Sequence, residues 1–363
     1  MYLQKIVSLF ELLLLFKTNQ MLKKILLSVI ALLVIVSIAS FFYIKACVVV
    51  PEGTDAVVSE VLTQELPELV NGKTGTATNG PIKIWYESKL PTDSVKGTIL
   101  LVMGLGATAM IWNNAFCQPL LDAGYQVIRY DNRDVGLSTW LDDWEEDSPY
   151  TLEDMAEDGV AVLDALGIKK AHVVGASMGG MIGQRIAISH PDRVASFTSI
   201  MSSGYAMDPA IPQASAGMQQ KYIKLGLKYL LHNSDENTLK FHIGNRTILK
   251  GSGAYDINLK QSAQISLYEI QKRKGYNRNC VQHQMKAIEV SGSRLAELGK
   301  ITCPTLIVHG TSDPLVNINH ARKYAPLIPQ ADTLYIAGMG HDFPPIHLAK
   351  IREGILSTIK KTL

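Results

Sequence analysis

Residues Ala171–Ser189 read AHVVGASMGGMIGQRIAIS. The opening run AHVV is apolar and β-branched, GASMG is a turn of small residues, and the remainder spaces its apolar residues as a helix does. A serine on so sharp a strand-to-helix turn needs small neighbours two positions before and two after, and Gly175 and Gly179 supply them. The turn lifts the Ser177 hydroxyl clear of the strand and aims it at a helix N-terminus, where backbone N–H groups favour developing negative charge.

Outward from that turn the same rhythm continues. Short apolar runs recur at Ile82–Tyr86, Thr98–Met103, Gln126–Tyr130, His172–Gly175, Ser196–Met201, Thr305–Val308 and Thr333–Ile336. Runs such as TILLVM are apolar on nearly every residue, as expected of central parallel strands covered on both faces. Helical patterns lie between them. In Thr151–Leu166, Thr151 followed by Asp154 predicts a capping box, and Met155, Val160, Val162, Leu163 and Leu166 line one side. Strand–helix alternation predicts an α/β fold with a mostly parallel sheet. From Gly204 to about Gly299 no strand is evident, only helix-like stretches at Gln213–Leu231, Asn258–Arg273 and Cys280–Leu298. A helical insertion there, between two late strands, would cap the carboxyl edge of the sheet, where open α/β sheets bind ligands.

A serine hydroxyl is a poor nucleophile until a base takes its proton, so a histidine and an orienting carboxylate should follow Ser177. Asp313, in HGTSDP, comes just after the strand Thr305–Val308; His341, in GMGHD, comes just after Thr333–Ile336. Both occupy strand carboxyl ends, in the order Ser, acid, His. Two backbone donors complete such a site: the N–H of Met178, after the nucleophile, and that of Leu105, freed to turn inward by Gly104 and Gly106. Asp131, Arg133 and Asp134 stand close to a strand end and are open to a catalytic reading. Asp342 is excluded as the acid because adjacent side chains in an extended loop point apart. His172 starts a strand, away from the carboxyl edge. Trp112, Trp140, Trp144, Met207 and Met218 are open to two readings, acyl-pocket lining or ordinary packing.

The segments LVMGLG (Leu101–Gly106), RYDNRDVGLS (Arg129–Ser138), HVVGASMGG (His172–Gly180), HGTSDPLV (His309–Val316) and GMGHD (Gly338–Asp342) resemble the α/β-hydrolase superfamily. They are similar to its capped bacterial subgroup typified by aclacinomycin methylesterase. The resemblance covers about residues 81–363, and it implies that Asp131, Arg133 and Asp134 form a structural turn with ion pairs. It implies a serine hydrolase acting on carboxylic esters, with Ser177, Asp313 and His341 in triad roles and no metal or organic cofactor. Met103 departs from the pattern, since many relatives carry histidine ahead of the oxyanion glycine. Ser177 excludes the aspartate-nucleophile chemistry of dehalogenases and epoxide hydrolases, and Met178 stands where proline iminopeptidase-like enzymes carry tryptophan. Carbon–carbon bond hydrolases, lactonases and acyltransferases share the triad and stay open as alternatives, as does a ligand-binding protein with little turnover.

Composition sets the remaining bounds. In 363 residues, 35 Lys and Arg against 33 Asp and Glu leave a net charge of +2, and no basic block argues for a nucleic-acid partner. Cys47, Cys117, Cys280 and Cys303 show no metal or disulfide-scaffold spacing.

The N-terminus reads differently. Ile25–Ile44, ILLSVIALLVIVSIASFFYI, carries no charge and as a helix would measure about 30 Å, the depth of a bilayer core. Lys5, Lys17, Lys23 and Lys24 precede it and only Lys45 follows closely, which predicts a cytoplasmic N-terminus and a catalytic unit outside. The expected organisation is a cytoplasmic segment at 1–24, with Met21 a second candidate start, a transmembrane anchor at 25–44 and a tether at 45–80 holding one short helix near Ala56–Leu69. The catalytic domain then occupies 81–363, with its cap at about 204–299. The expected partners are a small-molecule ester and, through the N-terminal helix, a membrane.

Overall fold

The computed structural model describes residues 20–46 and 50–362. Helix α1 (Gln20–Ala46) and α2 (Thr54–Thr63) precede the hairpin β1 (Lys73–Asn79) and β2 (Ile82–Lys89). Then come β3 (Gly97–Val102), α3 (Asn114–Asp122), β4 (Tyr125–Tyr130), α4 (Leu152–Ala165), β5 (Ala171–Ala176), α5 (Met178–Ser189) and β6 (Val194–Ile200). Four helices follow without an intervening strand: α6 (Ala216–Tyr229), α7 (Asp235–Leu249), α8 (Leu259–Lys272) and α9 (Cys280–Ser291). The chain ends with β7 (Thr305–Gly310), α10 (Asn319–Tyr324), β8 (Ala331–Ile336) and α11 (Pro345–Lys360).

The eight strands form one sheet in the order β1-β2-β4-β3-β5-β6-β7-β8. β2 runs antiparallel to both β1 and β4, and every later pairing is parallel. Alternate residues of the central strands serve opposite faces. Leu100, Val102, Ile128, Tyr130 and Val173 pack with Met155, Leu163, Ile182 and Ile186 of α4 and α5. Ile99, Leu101, Val127, Val174 and Val308 pack with Phe116 and Leu120 of α3 and Ile351 and Ile355 of α11. Burial on both faces is the reason those strands are apolar at most positions. The Thr151 side chain caps α4 by accepting from Asp154 N–H, and the Asp154 carboxylate returns the bond to the Thr151 backbone.

The stretch expected as a tether is built into the molecule. Val58 and Val61 of α2 are fully buried against Leu239, Ile243, Ala263 and Leu267 of the cap helices α7 and α8. β1 pairs with β2 along its whole length, from Lys73 opposite Ser88 to Asn79 opposite Ile82.

One expectation needs correction. A helix does form at Gln20–Ala46, but among the described residues no helix is long and apolar enough to cross a membrane. The expected cytoplasmic segment through residue 19 lies outside the described residues, as does Cys47.

Candidate active site

Ser177 sits between β5 and α5 with φ 54° and ψ −121°. A non-glycine residue at positive φ is costly and persists only where its surroundings over-determine it. Here the Ser177 N–H donates to the Ile200 carbonyl at 2.8 Å, and its own carbonyl accepts from Ser202 Oγ at 2.7 Å. The flanking glycines are required by contact. A Cβ on Gly175 would fall 2.1 Å from the Gly179 carbonyl oxygen, and one on Gly179 would fall 2.1 Å from that of Val102.

Asp313 and His341 come from the ends of β7 and β8, two and three strands from β5. Parallel register brings their loops to one rim. His341 Nε2 lies 2.9 Å from Ser177 Oγ, and His341 Nδ1 lies 2.7 Å from Asp313 Oδ2. Asp313 and His341 are each only 8% exposed, so the line they form is shielded from competing water. The other Asp313 oxygen accepts from the N–H groups of Leu315 at 2.9 Å and Val316 at 2.8 Å. Burial by itself would raise the Asp313 pKa, but the facing His341, with His309 beside it, outweighs burial and holds the carboxyl well below its usual range. The His341 backbone N–H donates to the Leu249 carbonyl at 2.9 Å, tying the histidine loop to the end of cap helix α7.

The loop after β3 closes the other side. A Cβ on Gly104 would stand 3.6 Å from Ser177 Oγ. Among the described residues, neither the Leu105 N–H nor the Met178 N–H donates to a protein acceptor. Both amides are therefore without a protein acceptor, one next in the chain to Ser177 and the other next to Gly104, and the hydroxyl is hydrogen-bonded to an imidazole. That arrangement can generate an alkoxide-like nucleophile and receive the negative charge its attack creates.

The remaining candidates fall elsewhere. Asp131 accepts from the N–H groups of Ala109 and Leu137, each at 2.9 Å, and pairs with Arg273. Arg133 pairs with Asp158 at 2.7 Å. Asp134 accepts from Leu141 N–H at 2.7 Å and Tyr150 O–H at 2.9 Å. The segment RYDNRD is thus a brace, as the resemblance implied. Asp342 accepts from Tyr255 O–H at 2.8 Å instead of orienting the neighbouring imidazole, and burial pushes its pKa up to about 6. His172 Nδ1 lies 2.9 Å from Ser196 Oγ, and burial lowers its pKa to about 4. Trp112 is buried against Phe116 and Phe343, Trp144 stacks on His283 at 4.3 Å, and Met218 belongs to the cap core. Among the described residues no group of three His, Cys, Asp or Glu is placed to hold a metal ion.

Sequence reading missed what holds the Gly104–Leu105 loop. Asn132 Nδ2 donates to the Met103 carbonyl at 2.8 Å, and Gln284 Oε1 accepts from the Gly106 N–H at 2.7 Å. Asn132 had a signal, in lying within RYDNRD; Gln284, in the cap, had none.

Comparison with known proteins agrees with this architecture. The profile of a family described as having the α/β hydrolase fold matches residues 97–347. The chain is 29% identical over 279 residues to the rhodomycin D methylesterase of Streptomyces peucetius, covering 74% of this chain and 91% of that protein. It is 30% identical, over the same shares, to the rhodomycin D methylesterase of a further Streptomyces strain. Among solved structures, a bacterial membrane phospholipase A aligns with a TM-score of 0.59 over 93% of this chain and 99% of that one, at 19% identity, which is a likeness of fold.

Proposed function

The chain belongs to the α/β hydrolase fold family and is a hydrolase, and from that premise we propose that it cleaves carboxylic esters through an acyl-enzyme on Ser177. The observation that carries the reading is His341, which reaches Asp313 at 2.7 Å and Ser177 at 2.9 Å in one buried line.

His341 takes the Ser177 proton as Oγ attacks the ester carbonyl, and Asp313 stabilises the resulting imidazolium. The tetrahedral oxyanion is received by the N–H groups of Leu105 and Met178. Collapse expels the alcohol, which leaves with the proton held on His341. Water then enters, gives a proton to His341, and attacks the acyl carbonyl, and Ser177 recovers its proton as the acid departs. The methylesterase relatives favour a methyl ester as the physiological substrate, with the larger acyl part under the cap.

Ser177→Ala should lose p-nitrophenyl acetate hydrolysis by at least about 10³-fold, and a fluorophosphonate probe should label the wild type and not the variant. A wild type that ignores the probe, or a variant that keeps its turnover, overturns the reading. A panel of lactone, β-diketone and acyl-acceptor substrates separates esterase from lactonase, carbon–carbon hydrolase and acyltransferase.

We also propose that the protein is membrane-associated, with the catalytic unit outside the cytoplasm. Support comes from the lysines ahead of the apolar run Ile25–Ile44 and from exposed apolar side chains on α1, including Leu27, Leu32, Leu33 and Ile35, each at least 60% exposed. Recovery of the full chain in the supernatant after cell fractionation overturns that placement.

A further inference from the structure

Four side chains pin the loop from Met103 to Ala109, and two of them belong to the cap. From just past β4, Asn132 holds the Met103 carbonyl and Asp131 the Ala109 N–H. From the cap, Glu269 on α8 accepts from Thr108 Oγ1 at 2.6 Å, and Gln284 on α9 accepts from the Gly106 N–H at 2.7 Å. Gln284 is fully buried, and its Nε2 donates to the Arg133 carbonyl at 2.9 Å.

Gly104–Ala107 is a β-turn closed by a bond from the Ala107 N–H to the Gly104 carbonyl at 3.3 Å. Gly106 has φ +67°, and Leu105 is not among the positive-φ residues, which makes the turn type II. Types I and II differ by a flip of the central peptide, here Leu105–Gly106, which exchanges the directions of the Leu105 carbonyl and the Gly106 N–H. Gln284 tells the two apart. The Arg133 carbonyl can only accept, so the side-chain amide must turn its NH2 there and its oxygen toward the loop. An oxygen in that place receives an N–H and repels a carbonyl.

We propose that Gln284 is a positioning residue for the oxyanion loop: by holding the Gly106 N–H it fixes the turn that carries the Leu105 N–H, the donor assigned above to the oxyanion, so that the cap carries part of the transition-state machinery. This rests on the serine-hydrolase reading above. The cap then governs the chemical step as well as access to the site.

Gln284→Met keeps the length and removes the acceptor. It should fold, lower kcat for p-nitrophenyl acetate by about tenfold or more, and leave KM within about threefold. Its affinity for an aryl trifluoromethyl ketone, which forms the oxyanion on Ser177, should fall by a similar factor. Gln284→Glu supplies a second signature. As a carboxylate it faces the Arg133 carbonyl with no proton to give, and as an acid it reproduces the amide. The ratio of its activity to that of the wild type should therefore rise as pH falls from 8 to 5. A Gln284→Met enzyme with kcat within about twofold of wild type, or a flat Gln284→Glu ratio, overturns the proposal. If Gln284→Met does not fold, the Gln284→Glu ratio decides alone. Failure of the wild type to take a fluorophosphonate sinks the hydrolase reading and this inference with it, whereas normal labelling with an indifferent Gln284 sinks the inference only.

Discussion

A Cβ placed on Gly104 would stand 3.0 Å from the Cβ of Ser177 and 3.2 Å from the Ala176 carbonyl oxygen. The loop after β3 and the turn after β5 therefore meet with no room for a methyl group. Gly104→Ala leaves the sheet core untouched, so the protein should fold, but loop and serine must separate by a few tenths of an ångström. Oxyanion bonds tolerate little displacement, and kcat/KM for p-nitrophenyl acetate should fall by about tenfold to a hundredfold. Melting temperature should change by only a few degrees. Full activity would mean that the loop is not part of the reaction centre.

Asp313→Asn keeps the shape of the acid while removing its charge and leaving an amide able to favour the wrong imidazole tautomer. Turnover should fall on the order of 10³–10⁴-fold with KM little changed. The wild-type carboxyl, held well below its usual range, stays ionised across any practical assay. Its folded pKa is depressed, so its contribution to stability is complete above the unfolded value of about 3.9 and is lost only as pH falls below that. Acid loss of activity above pH 5 with an unchanged fold thus belongs to groups other than the Asp313 carboxyl.

How much of this was legible in the sequence follows from burial. β3, β5, β6 and β7 are covered on both faces and read as apolar runs. β1, KTGTATN, is an edge strand that buries only Ala77, so its one-sided pairing with β2 left no hydrophobic pattern to find. Helix α7, DENTLKFHIGNRTIL, buries Leu239, Ile243, Gly244 and Ile248 and owes its place to packing against α2, α6 and α8, which no local window contains. Ser177, Asp313 and His341 could be found because each stands at a strand end among glycines. Gln284 could not: its partners are the backbone groups of Gly106 and Arg133, and backbone groups leave no trace in the side-chain alphabet.

Asp342 supplies a test of the histidine loop that is independent of catalysis. Burial, opposed by the Tyr255 hydrogen bond, raises its carboxyl to about 6. A folded pKa above the unfolded value of about 3.9 means that the folded state holds the proton more tightly, so stability declines as pH rises from about 4 to 6 and stays lower above that. The full effect is at most about 3 kcal/mol. Asp342→Asn, which keeps an oxygen for Tyr255, should remove that part of the decline and melt higher than the wild type at pH 8. Equal melting temperatures at pH 8 would place the Asp342 carboxylate in a solvated setting.

Arg273 is where the cap is fastened to the sheet. It pairs with Asp131 past the end of β4 and stands 3.2 Å from Glu269, out of hydrogen-bond alignment, with its guanidinium 4.1 Å above the Trp85 ring. Both carboxylates are fully buried, and desolvation raises both pKa values, Glu269 to about 7, against the pull of Arg273. Removing the cation paired with these two buried acids leaves much of their charge uncompensated, which costs about 3–5 kcal/mol. Arg273→Met should lose about that much in urea unfolding at pH 8 and part of it at pH 5, where the acids can take up protons. Adding Glu269→Gln to Arg273→Met removes one of the two charges and should restore part of the loss, because the Gln oxygen still accepts from Thr108. If the double variant is no more stable than the single one, the penalty of Arg273→Met lies in lost packing on Trp85 and not in charge.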